Sequence, residues 1–96
     1  MMSILTTIFA TLVAVEHFYI FYLETIATQS ATTSRVFNMT QEELARPSVD
    51  KLFKNQGIYN GLLGLFLLYG LYLAANVELV VVFLVFVVAA ASYGAL

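Results

Sequence analysis

The sequence holds 96 residues, of which 61% are hydrophobic and only 10% charged, with a formal net charge of −2. A soluble domain carries about 25% charged and about 45–50% apolar residues, and a chain this short has no interior large enough to hide the excess from water. The composition therefore excludes an ordinary soluble domain, gives no basic field for nucleic acid, and names the lipid bilayer as solvent and partner. Cysteine is absent, so disulfides and thiolate metal centres are excluded as well.

In chain order, the first apolar segment predicts a spanning helix over about 3–27, since about 20 residues at 1.5 Å each cross the hydrocarbon layer. Small residues follow it at Ala27, Ser30 and Ala31, as they would after a cleaved leader. No Lys or Arg precedes the run, however, and Glu16 and His17 interrupt it where a leader is most hydrophobic. A retained helix is expected. A polar loop over 28–47 comes next. Its Ser/Thr-rich start, Thr28 to Ser34, reads as irregular. Thr40-Gln-Glu-Glu43 has the form of a capping box and predicts a short helix ending near Arg46. Pro47 suits the first turn of a following helix, where its missing N–H is no loss. Asn38-Met39-Thr40 matches a glycosylation sequon, a triplet that arises often by chance.

A second helix is predicted over about 48–75, entering lipid near Asn55, and a third over about 78–96 after a tight turn at Asn76–Glu78. The Val-rich third segment is helical by necessity. An unbroken apolar run without alternation satisfies its backbone in lipid only as a helix. The expected fold is thus all-α: a polytopic transmembrane helix bundle forming one domain over 1–96, with three spanning helices and a polar loop after the first. All four basic residues, Arg35, Arg46, Lys51 and Lys54, lie in the polar stretch 28–54, which is that loop with the start of the second helix. The positive-inside rule places the loop, residues 28–54, in the cytoplasm and the N-terminus outside.

Polar residues inside the spans carry the functional information. Glu16 and His17 fall near mid-depth, where an ionised side chain costs about 2.5–3.5 kcal/mol on insertion scales. His17 and Glu24 share a helix face two turns apart, and Glu16 is offset from His17 by about 100°. On the second helix Gln56 and Asn60 face the same way, beside a groove of Gly57, Gly61 and Gly64 that permits close helix contact, and they are expected to point into the bundle. Tyr93, near the end of the third helix, falls at a similar depth to Glu24. The candidate binding residues are Glu16, His17, Glu24, Gln56, Asn60 and Tyr93, with the three glycines as helix-contact positions. The competing reading gives the same polar groups a packing role through interhelical hydrogen bonds. For His17 a hydrogen-bonded packing role is the default over metal ligation. No phosphate loop, nucleophile elbow or zinc motif is present, so no catalytic residue, metal or cofactor is assigned.

Three stretches, Val13-Ala-Val-Glu-His-Phe-Tyr-Ile-Phe-Tyr-Leu-Glu24, Arg35-Val-Phe37 and Asn55-Gln-Gly-Ile-Tyr-Asn-Gly61, together with Ala91-Ser-Tyr-Gly-Ala95, resemble the bacterial membrane family catalogued as domain of unknown function 1304. The resemblance covers nearly the whole chain and puts the family's recurrent polar positions on Glu16, His17, Glu24, Asn55, Gln56 and Asn60. It implies a small bacterial inner-membrane bundle and no biochemical activity. Members of the family continue into a fourth helix with another Gln-Gly, whereas this sequence stops at Leu96. Either the chain is a truncated form or a second copy supplies the missing packing surface.

The leading expectation is a bundle that binds or passes a small solute or a proton through its polar interior. Three helices are few for a pathway, so a homo-oligomer or a partner membrane protein is expected. A structural or accessory subunit is the alternative, and an intramembrane enzyme using His17 and the carboxylates is a weaker one.

Overall fold

A computed structural model describes residues 3–95. Among them every regular element is helical. Helix α1 (Ile4–Phe21) widens into a π turn at Tyr22–Ile26; α2 (Ala31–Phe37) and α3 (Gln41–Leu44) follow; α4 (Pro47–Leu68) widens into a second π turn at Tyr69–Leu73; α5 is Val77–Ala95. Two stretches are long and apolar enough to cross a bilayer, Ile4–Ile26 and Val77–Gly94.

The chain divides into two compact units. One contains the residues up to Val15 together with those from Leu63 onward. Its core is small: Ala10 and Val80 are wholly buried, Leu71 nearly so, and Leu84 packs against them. Phe66 and Phe83 stack with ring centroids 5.7 Å apart. The Thr11 hydroxyl donates to the Thr7 carbonyl, so at 2.7 Å from the Tyr72 hydroxyl it accepts the tyrosine's proton. The α4–α5 corner closes through backbone bonds from Ala74 N to Tyr69 O at 2.8 Å and from Asn76 N to Gly70 O at 2.9 Å. Ala75 adopts the left-handed conformation there, with φ 45°. Asn76 then caps α5, its Oδ1 accepting from Leu79 N at 3.2 Å.

The other unit is Glu16–Leu62. The expected irregular run after Thr28 is instead partly helical, because Ser30 is an N-cap: its hydroxyl accepts from Thr33 N and starts α2. Asn38, with φ 54°, ends α2 in the left-handed conformation that Asn tolerates. The expected capping box is present and starts α3, with Thr40 Oγ1 accepting from Glu43 N and Glu43 Oε1 accepting from Thr40 N. Pro47 opens α4 as the sequence predicts. Leu44 is fully buried beneath the loop, and Phe37 meets Phe53 edge-to-face at 5.1 Å. Gln29 Nε2 donates to Asp50 Oδ1, and Gln41 Nε2 donates to the Gln29 carbonyl. The polar segment is therefore a folded cap on its own unit.

Candidate functional site

The two helices of the Glu16–Leu62 unit meet where glycine removes the side chain. A Cβ at Gly57 would collide with Thr25 Oγ1 and lie 3.1 Å from Glu24 Cβ; one at Gly61 would lie 2.9 Å from the Phe21 ring. A side chain larger than hydrogen at either position would require Thr25, Phe21 or the helices themselves to shift. The small-residue spacing in α4 thus seats the end of α1 directly on it.

Glu24 lies in that contact, midway along the π turn. It is wholly buried. Its Oε1 accepts from Asn60 Nδ2 at 2.6 Å, and Asn60 Nδ2 also reaches the Gln56 carbonyl at 3.3 Å. Oε2 is equally buried and has no hydrogen-bond partner among the described residues. The ion pair seen among the described residues, Lys54 with Asp50 at 2.8 Å, lies on α4 and does not involve Glu24. A buried carboxylate with a single amide donor is stable only when something further neutralises or coordinates it. A proton, a small cation or a hydroxyl-bearing solute would each complete Oε2.

The turn around Glu24 is held by hydroxyls. Thr28 Oγ1 donates to the Glu24 carbonyl at 2.7 Å, and Thr33 Oγ1 donates to the Ala27 carbonyl at 2.7 Å with the Leu23 carbonyl at 3.2 Å. Both threonines are buried. A π turn leaves a carbonyl displaced from the regular ladder, and such turns recur at functional sites. Here the displaced groups find side-chain donors, so the Glu24 carboxyl is presented from a fixed backbone.

Of the candidate residues, the structure brings together Glu24 and Asn60, with Gly57 and Gly61 at the same contact. Gly64 is buried on α4. His17 is buried on α1 with Ala10 and Ala14, at 7% exposure, whereas Glu16 is exposed on the other side of the helix. Gln56, expected to face inward with Asn60, is exposed. The reason is angular. The buried face of α4 follows Gly57, Gly61, Gly64 and Leu67; Asn60 sits about 60° from Gly57 and Gln56 about 100° away. Tyr93 is 82% exposed. Thr28 and Thr33 were not among the sequence candidates. The Ser30-x-x-Thr33 spacing, an N-cap signal within the Ser/Thr run, is the feature that could have found them.

Comparison with known proteins adds family but not activity. The family described as protein of unknown function (DUF1304) matches residues 11–96. The uncharacterized protein YpaA of Lactococcus lactis subsp. lactis (strain IL1403) is 58% identical over 96 residues, covering 99% of this chain and 81% of the relative. No solved structure matches.

Proposed function

The chain belongs to the DUF1304 family of proteins of unknown function, and we propose that it is a multi-pass membrane protein in which the Glu24–Asn60 pair binds a proton or a small solute. Membrane insertion is supported by how little of the two apolar helices is buried, 17% of the Ile4–Ile26 window and 6% of the Val77–Gly94 window. A core helix of a soluble protein is mostly covered; these are not. In this reading α4 also crosses, as the second of three spans in chain order, the loop containing α2 and α3 is cytoplasmic, and the N-terminus is outside, in a bacterial inner membrane.

The observation that carries the binding role is the buried Oε2 of Glu24, which has no hydrogen-bond partner among the described residues. An intramembrane carboxyl held in this way is a functional group by default. The test is flux through liposomes containing the purified protein, read with a pH-sensitive dye and by solute-driven swelling. Glu24→Gln keeps the shape and the amide contact but removes the titratable oxygen. It should lower flux about tenfold or more, the equivalent of a lost hydrogen bond to a charged group. Unchanged flux with unchanged pH dependence would remove the proposal.

One observation favours a second reading. The 2.6 Å bond from Asn60 to Glu24 joins α1 to α4 and would hold the helices together without any ligand. A structural role predicts that Glu24→Gln and Asn60→Ala lower thermal stability while neither the parent nor the variants move solute.

A further inference from the structure

The outward face of α1 carries a polar group, Glu16, that neither lipid nor the Glu24 site accounts for. Leu5, Phe9, Leu12, Glu16 and Tyr19 are spaced four, three, four and three residues apart. This is the spacing of an a/d seam over two heptads, with Glu16 at an a position. All five are exposed, and the four apolar or aromatic ones by 49–77%. The opposite side of the helix holds Ala10, Ala14 and His17 and is buried. Beside the seam, Thr6, Ile8 and Leu84 complete an apolar groove of about 440 Å³ with Leu5, Phe9 and Leu12.

Lipid is a poor cover for this face. Acyl chains neither donate nor accept, so Glu16 at mid-span would stand unsatisfied in hydrocarbon at a cost of about 2.5–3.5 kcal/mol if ionised. We propose that the seam packs against the same seam of a second copy of the chain, giving a parallel α1–α1 dimer in which the two Glu16 carboxyls hydrogen-bond each other. Symmetry makes the pairing self-consistent. Copies inserted in one orientation are related by a two-fold axis along the bilayer normal, so identical residues meet at identical depth. A carboxylic acid both donates and accepts and is therefore its own complement. A single polar residue at an a position fixes register in a two-stranded seam. The left-handed crossing of a 4-3 repeat is the common packing mode of membrane helices. The glycine groove of α4 is not the dimer contact in this arrangement, because Gly57 and Gly61 are already covered by Thr25 and Phe21.

The inference rests on the membrane-spanning reading and is independent of what Glu24 binds. The cysteine-free sequence allows single reporters to be placed cleanly. In native membranes under oxidant, Leu12→Cys should form a disulfide dimer, while Val85→Cys, on the exposed face of α5, should not. In lipid, Glu16→Gln, whose amide also donates and accepts, should dimerise like the parent; Glu16→Leu should raise the dimer dissociation constant about tenfold. A monomer, a dimer that cross-links through Val85→Cys but not Leu12→Cys, or a Leu variant that associates as tightly as the parent overturns the proposal. Alkaline extraction, run on the same membranes, reads insertion separately: a chain released into the soluble fraction refutes the membrane reading itself.

Discussion

The Thr33 hydroxyl ties two carbonyls at the end of α1, Leu23 and Ala27, the second of which also accepts from Ser30 N at 3.0 Å. It is wholly buried and turned toward the Leu23 and Ala27 oxygens. Thr33→Val preserves shape and removes the proton, leaving the Ala27 carbonyl with Ser30 N alone and taking the hydroxyl from the Leu23 carbonyl, at a cost of about 0.5–1.5 kcal/mol. Thermal unfolding in detergent should show that loss for Val and little change for Thr33→Ser. A Val variant as stable as the parent would show that the turn around Glu24 does not depend on this bond. Glu16 and His17 show what was legible at this scale and what was not. Their angular offset is arithmetic on the sequence, but which of them faces inward depends on where α1 is covered. The small Ala10 and Ala14 are buried on the side that His17 shares, and that choice leaves Glu16 outside. The Glu24–Asn60 bond was foreshadowed as two polar groups at one depth. The exposure of Gln56 was not, because a pair four residues apart can straddle the edge of a buried stripe.

At the scale of elements, several starts were readable from the side chains that make them, whereas the Ser30 N-cap that starts α2 was not. The Thr40–Glu43 box, Pro47 and Asn76 all act where their chemistry says they should. The π turns were not readable, since an extra residue in a helix leaves no side-chain signature; they show only in bonds such as Ala27 N to Tyr22 O at 2.9 Å. The capping box also makes a pH prediction. Glu43 is held below its ordinary value of 4.5, first by the backbone N–H of Thr40 and then by the Thr40 side chain. A carboxylate depressed on folding contributes stability that is full above its unfolded value and is lost as pH falls through the folded one. Protection of the Thr40 and Glu43 amides against hydrogen exchange should therefore hold at neutral pH and decline below the ordinary carboxylate range. Glu43→Gln should abolish that pH dependence. Protection that is flat with pH in the parent would show that α3 stands without its cap.

At the scale of the whole molecule, apolar excess in long unbroken runs made the all-α class legible from the sequence, and among the described residues two helices are long and apolar enough to cross a membrane. The status of α4 is harder to read from composition. It is 22 residues long before its π turn, yet its first turns carry Asp50, Lys51 and Lys54, and polar Gln56 and Asn60 follow. Crossing lipid requires that the deeper of these be shielded, and the Glu24 contact does that for Asn60. The polar start and apolar remainder of α4 then suit a helix that rises from the cytoplasmic face and enters the bilayer near Asn55. Sidedness of labelling tests this directly. Single cysteines at Glu42 and Glu78, both exposed, bracket α4. In intact cells a membrane-impermeant maleimide should label Glu78→Cys and spare Glu42→Cys until the membrane is permeabilised. Labelling of both from outside would mean that α4 does not cross. The reverse pattern would keep the three spans and overturn the orientation drawn from Arg35, Arg46, Lys51 and Lys54, because the basic loop would then lie on the wrong side of the membrane potential.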